Sequence, residues 1–144
     1  MLIVILTALC LIALTTLIHY EFLRGFSARL PALLIPGRTK LLVVVFGMFL
    51  AHALEIAVYG IALLLLLKYA GVGTLTAPGG ATLTTCLYFS AETYTSLGFG
   101  DVTPLGPVRL LSGVETLNGL LLIGWSASYL YIAMERFWTV EGSA

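Results

Sequence analysis

Three long apolar runs constrain this chain more than any other feature of its sequence. The first covers residues 1–18 without a charge, the second covers 41–69, and the third covers 108–138. An α-helix rises about 1.5 Å per residue, so roughly 20 apolar residues cross the hydrocarbon core of a bilayer. Each run is close to this length or longer. The sequence therefore predicts three transmembrane helices rather than a domain that folds in water.

The composition is also typical of a membrane protein. Apolar residues make up 60% of the chain and charged residues only 10%, whereas a soluble domain carries about 25% charged residues. The seven acidic and seven basic side chains cancel, so the net charge indicates no nucleic-acid partner. The sequence contains no nucleophile–base pair and no metal-ligand spacing. We therefore expect neither an enzyme nor a bound cofactor.

The segment between the second and third runs is not apolar enough to cross the bilayer. It begins with glycine and proline residues, which are typical of irregular chain, and continues into a short apolar stretch at 83–95. A glycine-rich strip at 96–101 follows, and then Pro107, which suits the first turn of a helix. Non-helical backbone survives at membrane depth only where protein or water covers it. This order predicts a re-entrant loop made of a short helix and an irregular strip.

Basic residues are concentrated between the first two apolar runs, at Arg24, Arg29, Arg38 and Lys40. The long segment between the second and third runs contains no lysine or arginine. Because cytoplasmic loops carry the excess of lysine and arginine, this asymmetry predicts a cytoplasmic basic loop. The amino terminus is then outside and the carboxyl terminus is in the cytoplasm. The same four side chains are candidates for binding anionic lipid headgroups.

The segment 87–104 reads LYFSAETYTSLGFGDVTP. It resembles the pore helix, selectivity filter and outer mouth of bacterial pore-loop potassium channels, whose filter usually reads TTVGYGD. The resemblance extends to the flanking helices. It implies a homotetramer with fourfold symmetry, located in the bacterial inner membrane as a multi-pass protein, that conducts K+ passively.

The apolar runs, the basic residues and the resemblance together predict an organisation in four parts, with an all-α fold of three transmembrane helices plus a re-entrant pore helix and filter. The parts are an additional N-terminal helix at 1–23, a basic loop at 24–40, a pore domain at 41–138 and a short cytoplasmic tail at 139–144. Within the pore domain, the outer helix is expected at 41–69, the pore helix at 83–95, the filter at 96–101 and the inner helix at 107–138.

The resemblance implies that K+ binds to the filter residues Ser96, Leu97, Gly98, Phe99 and Gly100. Backbone carbonyls replace the water shell of the ion, and carbonyls on one side require alternating backbone conformations that glycine adopts easily. Ser96 would add a hydroxyl ring at the inner end, and Leu97 and Phe99 are expected to pack behind the strip. Since Phe99 lacks the family's tyrosine hydroxyl, a weakly selective cation channel is the alternative. A further alternative is a membrane subunit that does not conduct ions and only assembles with other subunits.

Four side chains are implied to support the filter: Tyr88, Phe89, Glu92 and Asp101. Two carboxyl groups in a tight space disfavour double ionisation, so we expect Glu92 and Asp101 to share a proton. In the alternative interpretation, Asp101 caps the outer mouth and Glu92 is solvated.

The inner helix carries the candidates for the cavity and the gate. Leu121 aligns with a cavity-facing position of the family, and Asn118 and Ser128 project to a similar side. Asn118 either rings the cavity or forms an interhelical hydrogen bond. Gly119 and Gly124 are either gating hinges or small residues that permit close helix packing.

Three ionisable residues lie within the predicted spanning helices. His52 and Glu55 are spaced i, i+3 and share a helix face, and Glu115 lies in the inner helix. Such groups usually face protein or water. We interpret them as a buried structural hydrogen bond, with a pH-sensing cluster between the two helices as the alternative.

Overall fold

The computed structural model describes residues 1–138, and most of them are helical. Helices α1 (Leu2–Arg29), α2 (Gly37–Leu65) and α4 (Val108–Trp138) are long and apolar enough to cross a membrane. The short helix α3 (Leu83–Tyr94) lies between the last two. The predicted all-α membrane fold is confirmed. The tail predicted at 139–144 lies outside the described residues.

Helix α1 is longer than the sequence predicted, and the loop after it is shorter. The basic loop expected at 24–40 is wrong in its bounds, because α1 continues through Arg29 and α2 already begins at Gly37. The first proline of the chain is Pro31, in a 3-10 turn, so nothing interrupts the helix earlier. Leu23 also packs in an apolar cluster with residues of α2 and α4. These contacts favour helix beyond the end of the charge-free run.

One face of α1 is buried against α2 and α4. The buried residues recur every three or four positions, as expected for one side of a helix: Val4, Ala8, Leu11, Thr15, His19 and Leu23. The first three belong to the main apolar core, which also contains residues of α2, α3 and α4. The remaining face of α1 is apolar and exposed in this chain, which suits contact with lipid.

Two short strands join the ends of the re-entrant segment. Strand β1 (Thr74–Leu75) pairs antiparallel with β2 (Pro104–Leu105). Beside them, the Thr76 N–H donates to the Thr103 carbonyl at 3.0 Å. The sequence does not predict these strands, because two-residue strands carry no periodic pattern. Their pairing closes the loop that contains α3 and the glycine-rich strip.

Helix α2 ends in a π-helical turn at Leu66–Ala70, followed by Gly71 in the left-handed conformation with φ 59°. Glycine reaches this conformation without the steric penalty of a Cβ atom, which explains its use as a helix terminator. The chain then turns back toward α3.

Candidate functional site: the pore helix and the strip that follows it

Helix α3 is joined directly to the glycine-rich strip by backbone hydrogen bonds. The Ser96 N–H donates to the Thr93 carbonyl at 3.0 Å, and the Leu97 N–H donates to the Glu92 carbonyl at 2.8 Å. These bonds fix the first residues of the strip to the last turn of the helix. A displacement at the end of α3 is therefore transmitted to the strip.

The backbone of the strip alternates between two conformations. Ser96, Gly98 and Gly100 have φ values of 61°, 56° and 80°, whereas Leu97 and Phe99 are not among the positive-φ residues. Left-handed residues at every second position rotate successive peptide planes, as the predicted row of carbonyls requires. The glycines adopt this conformation freely, but a side chain adds a penalty of about 1–2 kcal/mol. Among the described residues, Ser96 is the one non-glycine with positive φ.

Glu92 lies behind the strip and is only 4% exposed. Its carboxylate accepts a hydrogen bond from the Phe99 N–H at 3.3 Å. Burial raises the pKa of the Glu92 carboxyl, the bond from Phe99 partly lowers it, and the charge of Asp101 raises it further. Glu92 thus supports the strip by accepting a hydrogen bond from its backbone at Phe99.

Asp101 has a different partner. The Tyr88 hydroxyl donates to the two carboxylate oxygens of Asp101 at 3.1 and 3.0 Å. Among the described residues, no hydrogen bond joins the two carboxyl groups, since each is bonded to a separate donor. The sharing of a proton between Glu92 and Asp101 stays a prediction. The alternative of a solvated Glu92 is wrong, since that side chain is buried.

The two remaining filter-support expectations have different outcomes. Phe89 is buried in the main core. The side chains of Leu97 and Phe99 are 57% and 67% exposed. The expected packing of these two side chains behind the strip is not formed within one chain. They create an apolar surface at the strip.

The cavity position expected for Asn118 is wrong, and the interhelical alternative is confirmed. Asn118 is only 6% exposed, and its side-chain amide donates to the Thr15 hydroxyl at 2.8 Å and to the Tyr59 hydroxyl at 3.2 Å. Leu121, by contrast, is 64% exposed. Ser128 is also exposed and donates to the carbonyl of Gly124 in its own helix.

Gly119 lies where α4 packs against the carboxyl end of α3. A Cβ atom at this position would overlap the carbonyl oxygen of Tyr94. The close-packing interpretation therefore holds for Gly119. A Cβ at Gly124 would meet nothing within 4 Å, so close packing does not explain that glycine in this chain.

His52 and Glu55 meet, as one predicted interpretation required, but they meet three side chains that the sequence analysis missed. The Glu55 Oε1 atom lies 3.0 Å from His19 Nδ1, and Oε2 lies 3.1 Å from His52 Nδ1. The Tyr94 hydroxyl donates to Oε2 and lies 2.9 Å from His52 Nδ1. The Ser126 hydroxyl completes the set, at 2.9 Å from His52 Nε2 and 3.3 Å from His19 Nε2.

We call these five side chains the polar ring: His19, His52, Glu55, Tyr94 and Ser126. They come from all four helices and are largely buried. Glu115 is not a member, because it accepts a hydrogen bond from Ser90 instead. The interpretation of His52 and Glu55 as a buried structural hydrogen bond is thus confirmed. The alternative, a cluster of three, is wrong in including Glu115.

Three members of the polar ring have the chemistry of metal ligands. His19, His52 and Glu55 each offer one ligand atom, all within 4.8 Å of one another, and two imidazoles with a carboxylate suit Zn2+. However, hydrogen bonds already engage both nitrogens of each imidazole and both oxygens of the carboxylate. The ring is complete as a hydrogen-bonded group, and we assign it no metal.

The three spanning helices, with a re-entrant helix and an irregular strip between the last two, define a membrane protein. A family model described as an ion channel matches residues 40–136, more than half of the chain, and the chain belongs to this ion channel family. Membership in it points to a transporter rather than an enzyme. Helix α1 precedes the matched region. No curated protein and no solved structure matches the chain.

Proposed function

We propose that this chain is one subunit of a homotetrameric, K+-selective channel with its filter at Ser96–Gly100. The alternating backbone of the strip, directly after a short helix, is the observation that carries the proposal. A potassium ion crosses a filter when carbonyl oxygens replace its water shell without a large barrier. Four such strips around one axis provide these oxygens from Ser96 through Phe99.

The apolar surface of the single chain supports an assembly. Leu97 and Phe99 are exposed at the strip, and Leu121 is exposed on α4. Soluble and membrane homo-oligomers usually close with rotational symmetry, and one strip per chain requires four chains to surround an ion. In the proposed tetramer, the side chains of the strip pack on a neighbouring subunit. Leu121 and Ser128 then face the central cavity below the filter.

The topology we propose follows from the basic residues. The loop between α1 and α2 faces the bacterial cytoplasm, with Met1 outside and the carboxyl terminus inside. Anionic lipid headgroups bind at this surface, where basic side chains stand at the end of α1 and the start of α2. These are Arg24, Arg29, Arg38 and Lys40. Arg24 already pairs with Glu21 at 2.8 Å in an exposed position.

Weak cation selectivity is the second candidate, and it is favoured by Phe99 specifically. Phe99 has no hydroxyl to brace the strip, and its backbone bond to Glu92 is 3.3 Å long. A loosely held strip accommodates Na+ more readily than a rigid one does, in the view that rigidity contributes to selectivity.

The reversal potential distinguishes these candidates. The purified protein is reconstituted into planar bilayers with K+ on one side and Na+ on the other. We expect the current to reverse near the K+ equilibrium potential. Reversal midway between the K+ and Na+ equilibrium potentials would favour weak selectivity. Absence of current in wild-type protein would contradict both, and a conducting monomer or dimer, identified by mass, would contradict the tetramer.

The hydrogen bond from Tyr88 to Asp101 provides a prediction at the outer mouth. Tyr88→Phe removes the donor for Asp101 and keeps the aromatic ring, so we expect the open filter to persist for a shorter time. Since the pair is exposed, the effect should be modest, roughly two- to threefold in mean open time. Single-channel records at constant K+ measure it. Unchanged open times would show that Asp101 does not need this bond.

A further inference from the structure

We infer that His19 of α1 is a positioning residue for the filter, acting through Glu55 and Tyr94, and that the polar ring performs this role while it holds one shared proton. The inference rests on the proposed function, since it treats the strip at Ser96–Gly100 as the filter. It assigns a role to a helix that precedes the region matched by the ion channel family.

The path from α1 to the strip is short. His19 is fully buried and contacts Glu55 at 3.0 Å, and Glu55 accepts a hydrogen bond from Tyr94. Tyr94 is the last residue of α3, two positions before Ser96. Since the backbone of the last turn of α3 bonds the first residues of the strip, the side chain of Tyr94 fixes the inner end of the strip.

The hydrogen-bond geometry determines how many protons the polar ring holds. Tyr94 donates to Oε2 of Glu55, so its hydroxyl oxygen, 2.9 Å from His52 Nδ1, is left to accept. With an ionised Glu55, both imidazoles then donate through Nδ1 to its two oxygens. Both Nε2 atoms then face the same Ser126 hydroxyl, which has only one hydrogen to donate. One Nε2 accepts that hydrogen, so the other must be protonated and donate to the Ser126 oxygen. The complete ring therefore contains one imidazolium and one carboxylate.

Moving the proton does not change this count. If Glu55 is protonated instead, its hydroxyl donates to His19 Nδ1, and His19 donates through Nε2 to Ser126. The Ser126 hydroxyl donates to His52, which donates through Nδ1 back to Glu55. Every donor and acceptor is again satisfied, and the ring is again neutral. As long as Tyr94 donates to Glu55, the complete ring has one proton more than an ionised Glu55 with two neutral imidazoles.

The surroundings make this neutral state the favoured one. Beyond the ring, the titratable groups nearby are Tyr59 of α2 and Glu115 of α4; the latter is bonded to Ser90. Within residues 1–138, no lysine or arginine is hydrogen-bonded to a member of the ring. Loss of the shared proton would leave an uncompensated negative charge and an unsatisfied nitrogen in a buried position, which is unfavourable. As pH rises and the shared proton is lost, the hydrogen-bonded connection from His19 through Glu55 to Tyr94 should therefore break.

Two substitutions of His19 separate its hydrogen bond to Glu55 from the shared proton. His19→Leu removes the hydrogen bond and the imidazole, whereas His19→Gln retains a donor for Glu55 and removes only the imidazole. We expect His19→Leu to shorten the mean open time about tenfold at every pH, equivalent to about 1.4 kcal/mol. We expect His19→Gln to recover most of the open time near neutral pH. The mean open time of wild type should fall with rising pH, and that of His19→Gln should not.

Histidine NMR gives a readout that is independent of current. The chain has only two histidines, so 15N-histidine labelling of the reconstituted protein shows two imidazoles, and His19→Gln assigns them. We expect one proton to be lost from the pair over the same pH range in which wild-type open time falls. Ser126→Ala should uncouple the two imidazoles without breaking the bonds to Glu55. Ser112→Ala, whose hydroxyl bonds only the carbonyl of Val108 in its own helix, is the matched control.

The outcomes distinguish this inference from the proposed function. Wild-type K+ current together with normal open times and an unchanged pH profile in His19→Leu would overturn the inference alone. If the imidazoles of wild type lose their proton in a different pH range from the one in which the open time falls, the role of the shared proton is overturned. If His19→Leu fails to assemble, His19→Gln and Ser126→Ala decide the question through the pH profile. Absence of K+ current in wild type would instead contradict the proposed function, and the inference with it.

Discussion

We expect Gly98→Ala to abolish selective K+ conduction. Gly98 has φ 56°, and a Cβ atom in this conformation carries a penalty of about 1–2 kcal/mol per chain. Four subunits incur it at the same level of the proposed filter. The strip can relieve the strain only by rotating the peptide, which would turn a carbonyl away from the ion. Reversal potential and unitary current in mixed K+ and Na+ measure the result.

Gly71→Ala is the matched control for this prediction. Gly71 has nearly the same backbone angle, φ 59°, and a Cβ atom at either glycine meets nothing within 4 Å in this chain. The intrinsic strain is therefore similar, but Gly71 terminates α2 and lies outside the strip. We expect Gly71→Ala to lower stability and to preserve the reversal potential. Equal loss of selectivity in both variants would mean that strain anywhere in the chain disturbs conduction, and would contradict a special role for Gly98.

The sequence was sufficient to predict the re-entrant architecture, because the relevant signals are local. Apolar length predicts spans, and glycine at alternate positions predicts left-handed backbone at Gly98 and Gly100. The short helix predicted at 83–95 lies at Leu83–Tyr94. The positive φ of Ser96 was not predicted, because a serine does not indicate it. It follows from the bonds that tie this residue to the last turn of α3.

The polar contacts of α1 could not be predicted, because they depend on how that helix is rotated against its neighbours. Helix α1 is apolar on all sides, so its hydrophobic pattern does not mark the buried face. Thr15 and His19 are the available signal: they are four residues apart on one face, and polar groups in a spanning helix usually face protein. Neither residue was among those predicted to have a role, so the partners of Asn118 and Glu55 on α1 were not predicted.

Helix α1 is attached to the pore unit by polar bonds at three levels. Thr15 accepts from Asn118, His19 belongs to the polar ring, and the Ser27 hydroxyl lies 3.1 Å from that of Tyr129. Between helices in lipid, apolar contact with a neighbouring helix gains little over contact with acyl chains, so hydrogen bonds and close packing determine which faces meet. These bonds give α1 one defined orientation, which places His19 beside Glu55.

Gly119→Ala is the second substitution for which we expect a large effect, because Gly119 packs closely against Tyr94. The methyl group in Gly119→Ala would overlap the carbonyl oxygen of Tyr94 and approach its ring at 2.9 Å. The Tyr94 backbone cannot move freely, because its side chain is bonded to Glu55 and the next residues begin the strip. Overpacking of this kind lowers stability by about 1–3 kcal/mol per chain.

We therefore expect Gly119→Ala to unfold at a lower temperature than wild type and to show shortened open times. Gly113→Ala is the control on the same helix, because a Cβ there meets nothing within 4 Å. Alanine also favours helix over glycine by about 1 kcal/mol, so the control should be as stable as wild type or more so. Thermal unfolding of both purified variants in the same detergent measures the difference. If Gly119→Ala unfolds at the wild-type temperature, α4 can move away from α3 without loss, and the contact at Tyr94 does not constrain the inner end of the strip.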